Sequence, residues 1–392
     1  MKVMRKILIL SALIVVSSSH LAAVFPDFYG ARSLSLGHSV FASGWDVSAI
    51  FLNPAALAEA QVSLSAYQFQ QSYRDYLGFE DKLQGVLARD LSRIGSLNAD
   101  QKQEAVDELA QLWSSAHGIS GFSARLPALI GRNFGFSVAW VRAGRMHPQR
   151  ANAFDIPAAS WGSAEVDALK MEFIGLDYRQ FSLAYALDLT REMRLGVGLH
   201  YLTGKGSQHY AGLTGVPFTE NADIRDLSRY AWEQAGKKFS RILTDLSLVV
   251  SMGQTFQGMV LVKNLGNPRI ELDADILNLP QQLIAGIAFR PSPRLAVYLN
   301  IDLKPVNMWF DDKKVQPLSL GVETAFYQQR IFLRAGIWND LQEKYFLGKR
   351  SNVQYGVGIG FRMSRFILDL GLALDASGSI AGLAVGAAVW VQ

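Results

Sequence analysis

The sequence contains no cysteine. This absence excludes disulfides, thiolate metal sites, a cysteine nucleophile and a lipid-modified amino-terminal cysteine. Beyond residue 16 the chain also lacks any apolar run near the ~18 residues that a membrane-spanning helix needs. The sequence therefore excludes a polytopic helical membrane protein.

Charge is scarce as well. Asp, Glu, Lys and Arg make up 18% of the 392 residues, against about 25% in typical soluble domains. The formal net charge is +4, and Lys2, Arg5 and Lys6 account for three of the positive charges. No basic run outside this amino-terminal segment could follow a phosphate backbone, so we expect no nucleic-acid partner. With 49% hydrophobic residues, the chain is too apolar for intrinsic disorder.

Residues 1–23 have the pattern of a secretory signal peptide. The three cations precede an apolar run, Ile7–Val16, and small residues follow at Ser17–Ser19 and at Ala22 and Ala23. Cleavage is predicted at one of these two small-residue clusters. An uncleaved membrane anchor is the less favoured alternative, because the apolar run is short for a membrane span.

From Val62 onward, apolar residues alternate with small or polar ones. In the stretch 366–375, for example, Leu368 and Leu370 share one face, and Asp369 and Gly371 share the other. A soluble sandwich also alternates, but its strands usually have about five or six residues. The strands here have about ten, which is the length that a tilted strand needs to cross a bilayer.

The pattern predicts an all-β fold, an antiparallel transmembrane β-barrel of about 14 strands over residues 61–392. Tight turns alternate with long outer loops at 71–118, 143–175 and 204–239, as in barrels of the outer membrane of a diderm bacterium. Within these loops, the stretches 98–116 and 223–235 carry helical periodicity.

The segment 24–60 does not alternate. Gly30, Gly37 and Gly44 recur every seven residues, and Asn53-Pro54 is a turn or helix-start signal. Because this segment has no lipid-facing stripe, we expect it to form a hatch inside the barrel.

This segment resembles the amino-terminal motif of FadL-like outer-membrane transport proteins, and most of all their uncharacterised PorV-like branch. The matching residues, in order, are Gly30, Ala31, Arg32, Gly37, Asp46, Asn53, Pro54 and Ala55. The resemblance implies a hatch inside a 14-stranded barrel. It also implies either uptake of long-chain fatty acids, as in FadL, or assistance to protein secretion, as in PorV-type members.

Catalytic chemistry has little support in the sequence. No two histidines have zinc-ligand spacing, and we find neither a phosphate-binding glycine loop nor a nucleophile elbow. His200 and Asp188 lie on adjacent predicted strands, where a structural hydrogen bond is favoured over acid–base chemistry. We therefore expect no enzyme activity, no cofactor and no metal site.

Charged residues on the predicted lumen face are the remaining candidates. They are Asp188, Asp245, Lys263, Glu323, Arg334, Arg362 and Asp369. They form either an ion-pair network that braces the wall and holds the hatch, or a polar path with an arginine that binds a ligand carboxylate.

Three functions stay open at this point. The first is passive uptake of hydrophobic or amphipathic small molecules, long-chain fatty acids among them. The second is a PorV-like interaction with a secreted protein partner, and the third is a structural or adhesive surface barrel. In each case outer-membrane lipid surrounds the wall.

Overall fold

A computed structural model describes residues 23–24, 30–39, 48–59, 63–76, 79–87, 91–115, 117–125, 128–149, 152–213, 224–234, 236–273, 276–308, 314–342, 353–376, 378 and 380–390. The expected leader, apart from Ala23, and the motif residue Asp46 lie outside these ranges.

The wall is a closed antiparallel sheet of 15 strand segments, two of which share one position, so that the barrel has 14 strands. In chain order the strands are β1 Ser63–Tyr76, β2 His117–Arg125 with Ala128–Gly131, β3 Phe134–Pro148, β4 Lys170–Asp188, β5 Met193–Gly212, β6 Lys237–Met252, β7 Phe256–Lys263, β8 Gln282–Ser292, β9 Leu295–Asp302, β10 Pro317–Phe326, β11 Ile331–Asp340, β12 Gln354–Met363, β13 Phe366–Leu374 and β14 Ile380–Trp390. Pairing of β14 with β1 closes the cylinder. The predicted fold class is confirmed.

Alternation along the strands sets the two faces of the wall. Leu370 and Leu383 point outward with 38% and 47% of their surface exposed, whereas their neighbours Gly371 and Ala384 are buried on the inner face. The predicted facing of β13 is therefore correct. The outer face carries an apolar band, and the inner face carries the small residues that face the lumen.

The strands are unequal in length. β3, β4, β5 and β6 have 15, 19, 20 and 16 residues, whereas β9 to β13 have only 8 to 10. The expected loops 71–118, 143–175 and 204–239 are thus wrong at their ends, because strands occupy parts of all three. Both faces of β4 are buried there: Leu176 on one face and Phe173 on the other have no exposed surface. A strand buried on both faces loses the alternation that predicts it.

Helices and short strands fill the remaining described segments. The α-helices are α1 Ala31–Ser35, α2 Ala49–Leu52, α3 Phe79–Leu87, α4 Ala99–Ser115, α5 Ser163–Ala168 and α6 Ile224–Glu233; the 3-10 helices are Pro54–Glu59, Leu91–Ser96, Asn152–Asp155 and Ala158–Ser160. Ala23–Val24 pairs with Val306–Met308, which in turn pairs with Lys314–Val315, and Arg269–Glu271 pairs with Ile276–Asn278. Among the described residues, no helix has both the length and the apolarity to cross a membrane.

The extensions of β3 to β5 are covered on both faces. On their outward face lies α6, whose Ala231 carbonyl accepts a 2.7 Å hydrogen bond from Ser207 Oγ. The helices α3 to α6 enclose a buried apolar core on this face, which we call the outer cap; Leu109, Trp161 and Leu227 belong to it. The hairpin 269–278 lies on the inward face. Its residues Ile270 and Leu272 pack into the cluster that includes wall residues Tyr178 and Leu202. This covering buries apolar surface on both sides and so stabilises strands that extend beyond the exposed apolar band of the outer face.

Candidate functional site

The hatch rests on glycines of the inner wall. Gly321, Gly336, Gly356 and Gly371 lie on four neighbouring strands, and a methyl group added to any of them would come within 2.4 Å of an atom of segment 31–39. Only glycine permits so close an approach of two backbones. The alternation of the wall therefore builds a shallow groove that α1 and the following turn occupy.

Two glycines of the motif shape the ends of this segment. Gly30 and Gly37 have φ angles of 94° and 60°, in the region that favours glycine. The Gly30 amide donates a 2.8 Å hydrogen bond to Gln70 Oε1 on β1. A side chain on Gly37 would collide with the backbone of Ile337 at 2.7 Å. Both positions thus fix how α1 enters and leaves the groove.

Arg32 attaches α1 to the wall through charge. Its Nε donates to Glu323 Oε2 at 2.9 Å, and its Nη2 donates to Glu323 Oε1 at 3.0 Å and to Tyr298 Oη at 2.9 Å. The guanidinium also lies 5.5 Å from the centre of the Tyr298 ring. A two-pronged arginine–carboxylate contact of this kind is strong and specific in direction.

The charge cluster continues along the wall. Arg334 Nε donates to Glu323 Oε2 at 2.7 Å, and Arg334 Nη1 donates to Asp369 Oδ1. Arg32, Glu323 and Arg334 each expose less than a tenth of their surface. Two arginines thus share two carboxylates away from solvent, and removal of Glu323 would take from both arginines a buried carboxylate that they share.

The second half of the hatch is held by the opposite part of the wall. The Ala55 amide donates a 2.9 Å hydrogen bond to Ser247 Oγ on β6. A methyl group on Gly196 would lie 1.9 Å from the Ala55 nitrogen, and one on Gly198 would lie 3.1 Å from Pro54 Cγ. Asn53 is fully buried, and its carbonyl accepts a 3.0 Å hydrogen bond from the Ala56 amide. The Asn-Pro-Ala step is therefore the point at which the chain turns against β5 and β6.

The end of this half carries a second ionic contact. Glu59 Oε1 accepts from Arg194 Nη1 and, at 2.9 Å, from Gln257 Nε2. Asp188, a predicted lumen residue, is half-exposed at the turn end of β4, where its Oδ1 lies 3.3 Å from the same arginine. Asp188 therefore shares Arg194 with Glu59 at the turn end of the wall.

His200 has a different partner from the one the sequence suggested. Its Nε2 lies 3.2 Å from Asp245 Oδ2, and its Nδ1 lies 2.8 Å from Ser182 Oγ. Asp245 Oδ1 also accepts a 2.8 Å bond from the Asn264 amide, and Phe51 of the hatch stacks on the imidazole at 5.9 Å. Asp245 is 1% exposed. Its hydrogen bonds join the end of β7 to His200, on which Phe51 of the hatch stacks.

The remaining predicted residues lie on the inner face without joining one site. Lys263 is buried at the end of β7, and Arg362 is half-buried near the turn end of β12. Sequence reasoning missed Tyr298, Gln70 and Ser247, which bind the hatch. Nothing in their local pattern separates them from other polar residues on the inner face. The glycine groove did have a signal, because glycine alternates through 356, 358 and 360 of β12.

A cavity of about 350 Å³ lies next to the Arg32–Glu323 contact. Tyr298, Glu323 and Phe332 line it on the wall, and Arg290 and Arg294 line it at the turn end. The cavity combines apolar rings with two guanidinium groups. It could therefore accommodate a small molecule with an apolar body and an acidic or polar end.

These features define a class: a closed 14-stranded barrel whose described amino-terminal residues 30–39 and 48–59 contact the inner face of the wall. The sequence matches no protein-family model and no curated protein. Among solved structures, the monoaromatic hydrocarbon channel CymD aligns at a TM-score of 0.54 and 11% identity, over 96% of this chain and 99% of its own. The P. putida toluene transporter TodX aligns at 0.50 and 10% identity, over 93% and 100% of the two chains. A deltaS2 mutant of TodX, also a monoaromatic hydrocarbon channel, aligns at 0.51 and 10% identity, over 94% and 100%. This chain therefore has the fold of these channels.

Proposed function

We propose that this chain is a FadL-like channel of the outer membrane for passive uptake of hydrophobic or amphipathic small molecules. The observation that carries the proposal is the hatch, which is fastened to the wall at Arg32 directly beside a cavity of about 350 Å³. Hydrocarbons such as those named for CymD and TodX, and fatty acids, are the proposed substrate classes. Transport, not catalysis, is the proposed activity, and export would follow cleavage of the leader.

The hatch acts as the gate in this proposal. The wall closes through its own hydrogen bonds and needs no plug to satisfy them. The hatch, by contrast, is attached in two separate regions, one that includes Arg32 with Glu323 and one that includes Ala55 with Ser247. Release of one attachment would move part of the hatch while the other attachment and the wall persist. The ligand would then enter the cavity and leave at the turn end.

A double substitution, Asn53→Ala with Pro54→Ala, tests the gate. Proline restricts its own φ and biases the preceding residue away from the helical region, so its loss loosens the turn that seats Ala55 on Ser247. We expect higher leak of small solutes and faster uptake of toluene and oleate into liposomes, with normal yield of the folded barrel. Gln101→Ala with Gln103→Ala, on the exposed face of α4, is the control and should behave as the parent does. Unchanged leak and uptake in the Asn53/Pro54 variant would show that the hatch does not act as the gate.

A second candidate is the PorV-like role with a secreted protein partner. The outer cap supports it, because α3 to α6 enclose a separate apolar core that gives the outer end a firm surface. Deletion of the gene distinguishes the two functions. Loss of a surface-exposed protein with unchanged uptake of toluene and oleate would favour the interaction role, and the reverse result would favour the channel.

A further inference from the structure

A row of charged side chains crosses the outward face of β3 to β6. Arg142, Asp177, Lys205 and Lys238 are direct neighbours across these strands. Four residues toward the turn end, the same face carries a second row, which consists of Val138, Phe181, Tyr201 and Ile242. Phe181, Tyr201 and Ile242 are 37%, 44% and 65% exposed, so that this second row belongs to the apolar band. At about 3.3 Å per residue, the charged row lies roughly 13 Å beyond it along the strands.

One anion in the charged row is already neutralised. Asp177 Oδ2 accepts a 3.2 Å hydrogen bond from Arg142 Nε, and its Oδ1 accepts a 2.6 Å bond from Trp140 Nε1. The Arg142 guanidinium lies 4.2 Å from the Trp140 ring centre. The cations that remain are Lys205, Lys238 and the exposed Arg179, and within the described residues no carboxylate forms an ion pair with any of them.

The two lysines face each other directly. Lys205 pairs with Lys238 across β5 and β6, and Thr203 pairs with Ser240 in the next outward-facing positions. Like charges at directly opposed positions of a sheet destabilise it. A bound anion would relieve this repulsion, and two ammonium groups above two hydroxyls are donors that suit a phosphate. A groove of about 480 Å³ opens at this place, and its lining consists of Tyr201, Thr203, Lys238, Phe239, Ser240, Arg241 and Glu271. The carboxylate of Glu271 is already paired with Lys237 and Arg241. Lys205 lies beside the groove, where its Nζ donates a 3.4 Å hydrogen bond to the Gln234 carbonyl.

We infer that these four residues, Thr203, Lys205, Lys238 and Ser240, bind the phosphate of an outer-leaflet lipid. The order of chemistry along the strands favours a lipid over a free ion, because the apolar row with Tyr201 and Ile242 lies on the membrane side of the phosphate donors. Acyl chains would pack on that row while the phosphate reaches the lysines. The inference rests on the outer-membrane location in the proposed function. The short strands do not have an apolar row followed by phosphate donors, since the apolar residues Leu303, Leu341 and Ile380 lie exposed at their outer ends.

Retention of lipid by the full-length protein in detergent tests the site. The probes are bis-phosphorylated lipid A, the same lipid with both phosphates removed, and inorganic phosphate, each followed by native mass spectrometry. We expect the parent to retain the phosphorylated lipid, and Lys205→Gln with Lys238→Gln to bind it about tenfold more weakly, because two charge-assisted contacts are lost. Arg191→Gln with Arg365→Gln removes two exposed cations at the turn end and should bind as the parent does.

Several results would overturn the inference. Equal retention by the parent and the double lysine variant excludes the lysines, and equal retention of the phosphate-free lipid excludes phosphate recognition. Binding of inorganic phosphate without lipid would leave an isolated anion site. If the lysine variant fails to fold, the salt dependence of the parent protein tests the inference. Its retention of lipid must fall as salt rises from ~0.05 to ~0.5 M, where the screening length shortens to a few ångströms. A parent that fractionates with outer membranes but retains no lipid refutes this site alone, whereas its recovery elsewhere refutes the proposed function.

Discussion

The long strands and the short strands of the wall share the same alternation, but different elements cover their faces. In β3 to β5, the strands run on past the apolar band and are covered by α6 outside and by the hairpin 269–278 inside. In β10 to β13, the strands stop after 9 or 10 residues, and their inner face holds the glycine groove and the charges that seat α1. The comparison teaches that a strand extends as far as other elements cover its faces.

Removal of Glu323 should have the largest effect, because it acts on the short strands, where charge is buried. Glu323→Ala leaves Arg32 and Arg334 without their shared carboxylate. Breaking a buried pair in this way costs about 3–5 kcal/mol, and the loss should appear in urea unfolding in detergent. The matched change beside the long strands is Glu271→Gln. Glu271 is exposed and pairs with Lys237 at 2.7 Å, so its loss should leave the unfolding midpoint unchanged. Equal losses in the two variants would mean that burial does not separate the short strands from the long strands.

A charge placed on the lipid face should act according to depth. Leu370 lies in the middle of β13, and an arginine facing lipid at that depth costs about 2–4 kcal/mol. We expect Leu370→Arg to reduce the yield of heat-modifiable barrel. Ser240→Arg places the same side chain on the outward face of the β6 extension, beyond the apolar band, and should be tolerated. Comparable yields for both variants would contradict the proposed position of the bilayer.

A methyl group in the groove should loosen the hatch and spare the wall. The Cβ of Gly371→Ala would lie 2.3 Å from the Ala31 carbonyl oxygen, and overpacking of this kind costs about 1–3 kcal/mol. Hydrogen exchange of the α1 amides should accelerate while exchange in β13 stays slow. Gly258→Ala on β7 has open space within 4 Å of its Cβ and serves as the control. Slow exchange of α1 in the Gly371 variant would show that the groove does not hold it.

The smallest effect is expected from acid at the outer cap. His209 on the β5 extension stacks on Phe173 at 5.1 Å and meets the Tyr230 edge at 4.9 Å. Burial lowers the pKa of His209 below its ordinary value of 6.5, and Asp273 opposes this shift. The packed cap thus favours neutral His209. The stability of the cap is therefore unaffected at a pH well above 6.5 and falls as the pH drops below 6.5.

Exchange of the α6 amides at two pH values tests this expectation. It should be faster at pH ~5 than at pH ~7.5, on either side of the ordinary histidine pKa. His209→Phe should abolish the difference, because phenylalanine does not titrate. A pH response that persists in this variant would assign it to another group.

The site was only partly predictable from the sequence. Gly30 and Asn53-Pro54 stood out from local pattern, since glycine and proline have few backbone roles, whereas Arg32 stood out only through the resemblance to the FadL-like motif. The partner of Arg32 was not readable, because Glu323 lies 291 positions away along the chain. Likewise, His200 could be assigned to the inner face, but its pairing with Asp245 rather than Asp188 depends on which side chains reach it across β5 and β6.

The sequence by itself determined the wall: its strand count, its closure and the face on which Leu370 and Gly371 lie. Strand count and facing follow from a two-residue period, which is local. Closure follows because a membrane-spanning sheet cannot leave the backbone groups of an edge unpaired. Only the tertiary structure decided how far β3 to β6 extend, where the hatch is fastened and which charges are paired. Those outcomes depend on contacts between residues far apart in the chain, and no period in the sequence records them.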